Sequence, residues 1–191
     1  MRRPRSRVAT SAQRTEAAPG IAAFLRAGRP ATAKRLVVCA GDSITSGCSS
    51  ANWVDLLQRR FAADGYQFVN AGVDGDPAWN VLERIEDVVR CQPDAVTLQV
   101  GGNDVAAASG TWHEKLYWRQ QHVPQAPSLS WYAECVDGIL TRLQSQTSAR
   151  IAVLDIPMIG EDLTSETNRR VNEYNQALRR VARRTRPGAK L

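Results

Sequence analysis

The sequence contains few histidines, since only His113 and His122 occur among its 191 residues. Its four cysteines are widely spaced, with no Cys-x-x-Cys pair, and no acidic residue is spaced to share a metal with a histidine. It also lacks a run of about 18 apolar residues, the length that crosses a bilayer. We therefore predict reduced thiols, no metal, no cofactor, no transmembrane segment and a cytoplasmic location.

The charge is unevenly distributed along the chain. Residues 1–35 carry nine Lys or Arg and one acid, residues 36–178 carry ten Lys or Arg and eighteen acids, and residues 179–191 carry six Lys or Arg and no acid. The formal net charge of +6 therefore comes from the two ends, while the centre is acidic. A nucleic-acid-binding face needs clustered Lys and Arg on the folded surface, so we predict no specific nucleic-acid partner.

The hydrophobic pattern predicts an α/β fold. Four short apolar segments predict β-strands: 35–40, 67–71, 95–100 and 150–155. Apolar residues recur with helical spacing in four segments between and after them: 53–61, 79–89, 136–143 and 171–181. Because strand and helix alternate, we predict one domain over residues 34–191, with a parallel sheet and helices on both faces.

Three segments fall outside this alternation. Residues 1–33 lack sustained periodicity and are predicted to be a flexible basic leader. Residues 105–130 form a long connection with both histidines and several aromatic residues, and loops of that length are usually functional. After residue 186, Ala189-Lys190-Leu191 looks like the entry to a fifth strand, so we expect the domain to be incomplete at its C-terminus, without its last strand and helix.

Three short motifs follow predicted strands and carry chemically useful groups. They are Gly41-Asp42-Ser43-Ile44-Thr45, Asn70-Ala71-Gly72 and Gly101-Gly102-Asn103-Asp104. The carboxyl ends of parallel strands meet at one edge of a sheet, so we expect the motifs to converge on one crevice. A serine there can act as a nucleophile, while a glycine N–H and an asparagine amide can donate to a developing oxyanion.

This order of motifs resembles the SGNH (GDSL-type) hydrolase family, named for its serine, glycine, asparagine and histidine blocks. The resemblance runs from about residue 34 to 186 and implies a flavodoxin-like three-layer α/β/α sandwich around a five-stranded parallel sheet. It implies that Ser43 is the nucleophile, and that the oxyanion is held by the Ser43 and Gly72 N–H groups and the Asn103 side-chain amide. The implied activity is that of an esterase or acyl hydrolase on small-molecule, lipid or acylated-sugar esters.

The chain departs from the family at the last block. Family members place an Asp-x-x-His after the fifth strand as the base and its orienting carboxylate, whereas nothing after Leu154 has this form and no histidine follows His122. One interpretation is an esterase impaired by an incomplete C-terminus, and another is an inactive domain that binds an ester ligand. His113 or His122 could also replace the base, although we expect both to face solvent.

Several residues are weaker candidates for substrate binding: Asp42, Gly102, Asp104, Trp112 and His113. Asp42 is interpreted as a structural turn carboxylate rather than a catalytic acid, and Asp104 as a support for the loop of Asn103. Trp112 and the adjacent His113 lie in the long loop, where an aromatic side chain could line an acyl or aryl pocket. The identity of the ester and the oligomeric state stay open at this point.

Overall fold

The computed structural model describes residues 18–48, 50–108 and 120–185. Four parallel strands form one sheet in the order β2-β1-β3-β4. Their bounds are Arg35–Gly41 for β1, Tyr66–Gly72 for β2, Ala95–Gln99 for β3 and Arg150–Val153 for β4. All four predicted strands are therefore confirmed, and β1, which carries the serine motif at its end, lies inside the sheet.

The helices surround this sheet and lie mostly where the apolar spacing predicts them. They are α1 (Pro19–Ala27), α2 (Ser43–Ser46), α3 (Trp53–Phe61), α4 (Ala78–Glu83), α5 (Ile85–Arg90), α6 (Gly102–Ala107), α7 (Leu129–Gln146) and α8 (Glu166–Thr185). Polar side chains begin several of them, because Asn52, Ser128 and Ser165 each accept a hydrogen bond from an N–H of the first turn. No helix formed by the described residues has both the length and the apolar character needed to cross a membrane.

The structure corrects three predicted segments. Residues 19–27 are not part of a flexible leader, because they form α1, which packs on β2 and buries Ile21. The predicted helix at 79–89 is interrupted at Arg84, whose backbone (φ −103°, ψ 8°) separates α4 from α5. The predicted loop at 105–130 is shorter, because α6 extends into its start and α7 begins before its end. Ala189-Lys190-Leu191 lies outside the described residues.

The two faces of the sheet are covered differently. On one face, Val38, Val96 and Leu98 are fully buried in a core shared with residues of α4, α5, α7 and α8. On the other face, α3 packs on β2, and the rings of Phe61 and Phe68 lie 6.5 Å apart. Helices thus cover both faces as predicted, and the structure is an α/β fold. On the α3 side of the sheet, the residues of β3 and β4 are half-buried or exposed, so no helix among the described residues fully covers them.

Candidate active site

The serine motif forms a tight strand-to-helix turn at the carboxyl end of β1. Asp42 follows the strand and caps α2, since its Oδ1 accepts a hydrogen bond of 3.0 Å from the Ile44 N–H. Ser43 is the first residue of α2 and is half-buried, whereas Asp42 is only 3% exposed. Burial raises the pKa of Asp42 to about 6, and the nearby Asp76 charge adds to this rise. Asp42 therefore caps α2, as expected of a structural turn carboxylate, whereas its role in substrate binding stays a prediction.

The end of β2 supports the helix that carries Ser43. A Cβ atom at Gly72 would lie 2.2 Å from the Ser46 nitrogen, so only glycine allows α2 to rest on this strand. The Gly72 N–H donates to Oδ1 of Asn70 at 2.9 Å. In this structure the donor is engaged by a side chain of its own strand, so the role of this N–H in holding an oxyanion stays a prediction.

Two side chains fix α2 from outside. The Asn70 amide donates to the carbonyl oxygens of Thr45 at 2.8 Å and Ser46 at 3.3 Å, which are two C-terminal carbonyls of this short helix. The Trp53 indole N–H donates to the Ile44 carbonyl oxygen at 3.0 Å. These bonds hold Ser43 in place. The motif Asn70-Ala71-Gly72 predicted no such role for Asn70, and Trp53 was predicted only as part of the helical segment 53–61.

The asparagine motif follows β3 and begins α6. Gly101 adopts a positive φ of 131°, and a Cβ there would lie 2.5 Å from the Ile156 side chain, so the turn requires glycine. Asn103 is half-buried, and its Nδ2 donates to the Asp76 carbonyl oxygen at 3.1 Å. A Cβ at Gly102 would meet no atom of a described residue within 4 Å, so the described part of the chain leaves space beside this turn. The motif therefore places an amide donor beside the turn that follows β2.

Asp104 anchors this motif to the next helix. Its carboxylate is 5% exposed and accepts the Ala78 N–H at 3.0 and 3.3 Å, which caps α4. Burial raises the pKa of Asp104 to about 7, although the bond from Ala78 opposes the rise. These bonds connect the Asn103 motif to α4, in line with the expected support of the loop, whereas the role of Asp104 in substrate binding stays a prediction.

A buried ion pair connects the ends of β1 and β2. The Arg84 guanidinium donates to Asp76 Oδ2 at 2.7 Å, to the Ala71 carbonyl oxygen at 2.7 Å and to the Gly41 carbonyl oxygen at 2.8 Å. The two side chains are only 1% and 2% exposed. The apolar spacing did not predict this pair. The sequence feature that could have indicated it is an arginine among Val81, Ile85 and Val88, which recur at helical spacing.

Comparison with known families decides which protein class this arrangement belongs to. The sequence model of the GDSL-like lipase/acylhydrolase family matches residues 39–189, which include all three motifs. The chain belongs to the GDSL-like lipase/acylhydrolase family. This membership agrees with the resemblance that the three motifs predicted.

Individual relatives of this GDSL-like chain are esterases. Esterase TesA from Pseudomonas aeruginosa is 36% identical over 91 residues, which are 44% of this chain and 45% of the relative. The match thus spans less than half of that curated relative. The structure of the acetylxylan esterase Axe2 from Geobacillus stearothermophilus has a TM-score of 0.65 at 20% identity, over 80% of this chain and 74% of that one. The acetyl xylan esterase AlAXEase has a TM-score of 0.63 at 25% identity, over 78% and 73%.

A GDSL-like hydrolase also needs a base near its serine. Among the described residues, no side chain hydrogen-bonds to Ser43 Oγ or orients the exposed imidazole of His122. His122 has a positive φ of 55°, and the preceding Gln121 is held by the Asn80 amide at 3.1 and 3.2 Å. The predicted Trp112 and His113 lie outside the described residues. The described residues thus hold a half-buried serine at the end of β1 and an amide donor after β3, without an oriented base.

Proposed function

We propose that this chain carries a serine ester hydrolase site. Ser43 Oγ is the nucleophile, and the Ser43 N–H and the Asn103 side-chain amide hold the oxyanion. The proposal rests chiefly on the position of Ser43, which is the first residue of α2 at the carboxyl end of β1 in a member of a hydrolase family. The Gly72 N–H is left out because Asn70 occupies it.

Both proposed donors have a hydrogen available for an oxyanion. The first N–H groups of a helix have no partner within the helix, and no described residue accepts the Ser43 N–H. Asn103 uses Nδ2 on the Asp76 carbonyl oxygen, but a side-chain amide nitrogen carries two hydrogens. One of these two hydrogens therefore suffices to hold the asparagine in place, and the other can bind the oxyanion.

The reaction follows from these groups. Ser43 Oγ attacks the carbonyl carbon of the ester, and the carbonyl oxygen becomes the oxyanion. The Ser43 hydroxyl gives its proton to solvent water, the carbon–oxygen bond to the alcohol breaks, and the leaving alcohol oxygen takes up a proton from water. A water molecule then attacks the acyl-Ser43 ester, the bond between the acyl carbon and Oγ breaks, Oγ regains a proton and the acid is released. We expect slow turnover, because removing a catalytic histidine in another serine hydrolase costs on the order of 10⁶-fold.

Substrates of this site are carboxylic esters, whether of a small molecule, a lipid or an acylated sugar. The two structural relatives named above are described as acting on acetylated xylan. Hydrolysis of p-nitrophenyl acetate by the wild-type chain and by Ser43→Ala tests the proposal. Ser148→Ala is the matched control, because Ser148 is exposed and lies just before β4, at the opposite edge of the sheet.

We expect hydrolysis above background that is lost in Ser43→Ala and retained in Ser148→Ala. Equal hydrolysis by wild-type protein and Ser43→Ala would refute Ser43 as the nucleophile. The described residues include no oriented base, which favours a second candidate function, in which the crevice binds an ester without cleaving it. In that case the folded wild-type chain binds an acetylated sugar saturably and releases no acetate.

A further inference from the structure

The buried Arg84–Asp76 pair lies beside the proposed site and has no role in the chemistry described so far. The guanidinium donates to three acceptors on three segments: a carboxylate in the turn after β2, and the carbonyl oxygens of Ala71 and Gly41. All three bonds are between 2.7 and 2.8 Å long. Because the guanidinium is planar and rigid, its Nε, Nη1 and Nη2 donors fix the three acceptors in direction as well as in distance.

The position of each acceptor matters for the site. Gly41 lies two residues before Ser43, and Ala71 precedes Gly72, on which α2 rests. The backbone of Asp76 accepts the Asn103 amide at 3.1 Å. One guanidinium therefore connects the strand of the nucleophile, the support of its helix and the turn that holds the amide donor.

A buried ion pair such as Arg84–Asp76 contributes little net stability to a fold, because both charges must be desolvated. Both side chains are almost completely buried, and removing two charges from water costs several kcal/mol per ion. Apolar residues of similar volume often give equal or greater stability than a buried pair. Arg84 also interrupts the helix that the sequence predicts over 79–89, because its backbone leaves the helical region between α4 and α5.

We infer that Arg84 is a positioning residue, which sets the separation between Ser43 and the Asn103 amide. The inference rests on the proposed function, since it assigns the residue to that same site. A displacement of about 1 Å can lower the rate of an enzyme about 10²-fold. Loss of the guanidinium fork should therefore lower the reactivity of Ser43 by at least about tenfold in a folded protein.

The test uses three variants of the full chain. Arg84→Lys keeps the charge beside Asp76 and removes the fork. The double variant Asp76→Asn with Arg84→Met removes both charges, so that no unpaired ion is buried. The three hydrogen bonds of Arg84 to Asp76, Ala71 and Gly41 are here termed the Arg84 clamp. Leu143→Ala is the control, because Leu143 is fully buried in α7 and its loss lowers stability without touching this clamp. Urea unfolding ranks the stability of all four proteins.

Two readouts are compared in the folded proteins: the rate at which a fluorophosphonate labels Ser43, and hydrogen exchange in segments 42–47 and 73–77. We expect at least about tenfold slower labelling and faster exchange in both segments for Arg84→Lys and the double variant. Leu143→Ala should label within about twofold of the wild-type rate. The slower labelling of the double variant should be seen even if that variant is as stable as Leu143→Ala or more stable.

The inference fails if both clamp variants label at the wild-type rate and both segments exchange as in the wild type. It also fails if labelling falls with stability alike in all three variants, because Arg84 is then only a structural ion. If the wild-type chain itself is not labelled, the proposed function fails instead. Exchange in the two segments then decides the positioning role, with faster exchange supporting it and unchanged exchange refuting it.

Discussion

Replacing Asp104 by asparagine should make the protein more stable at neutral and alkaline pH. Asp104 is buried, and burial raises its pKa from an ordinary value of 3.8 to about 7. The folded protein therefore binds a proton at this site more tightly than the unfolded chain does. By linkage, the stability from this group is fully present below the unfolded pKa and is lost as the pH rises through about 7.

The size of this effect follows from the two pKa values. One pKa unit corresponds to about 1.4 kcal/mol, so the rise from 3.8 to about 7 corresponds to a loss of about 4 kcal/mol between acidic and alkaline pH. Asparagine has nearly the same shape and keeps a carbonyl oxygen that can accept the Ala78 N–H. The variant should therefore lack this pH dependence while it retains the cap on α4.

Urea unfolding, followed by tryptophan fluorescence, measures the prediction. The unfolding free energy of Asp104→Asn minus that of the wild type should rise by up to about 4 kcal/mol between about pH 4 and about pH 8. Asp137→Asn is the matched control, because Asp137 is exposed on α7. A difference that is independent of pH, or that falls as the pH rises, would refute the reasoning that Asp104 is protonated through burial.

Three further predictions concern the site. Gly72→Ala should destabilise the protein by more than about 1 kcal/mol in urea unfolding, because its Cβ would lie 2.2 Å from the Ser46 nitrogen. Gly102→Ala, which meets no described atom, should change stability by less than about 0.5 kcal/mol. Equal effects of the two substitutions would contradict the packing of α2 on Gly72. Asn103→Ala should lower p-nitrophenyl acetate hydrolysis about 10²- to 10³-fold without unfolding the chain, as seen by circular dichroism, and an unchanged rate would exclude it as an oxyanion donor. His122→Ala should leave this hydrolysis unchanged, because no described residue orients its exposed imidazole; a large loss would make His122 the base.

The strands and most helices could be predicted because their signals are local. The strands of this sheet are short apolar runs, and α3, α7 and α8 carry apolar residues at helical spacing. Helix α1 was missed because it has only nine residues, with Ile21 as its one fully buried residue. A helix that short forms mainly through its packing on the rest of the fold, which a sequence pattern does not contain.

In the candidate site, too, features with local signals could be predicted and features that depend on tertiary contacts could not. The positions of Ser43 and Asn103 follow from strand ends that converge, which is a rule of parallel sheets. The engagement of the Gly72 N–H depends on a side chain two residues earlier in the same strand, and the strand motif Asn70-Ala71-Gly72 contained that signal. The Arg84 clamp joins segments up to 43 residues apart, so helical periodicity alone predicts an uninterrupted helix there.

The central claim is that Ser43 is the nucleophile of this chain. Prolonged reaction with a fluorophosphonate, followed by intact mass and peptide mapping, tests this claim most directly. We predict a single adduct on Ser43, formed slowly by the wild-type protein and absent from Ser43→Ala. No adduct on the folded wild-type chain, or an adduct that persists in Ser43→Ala, would contradict the account.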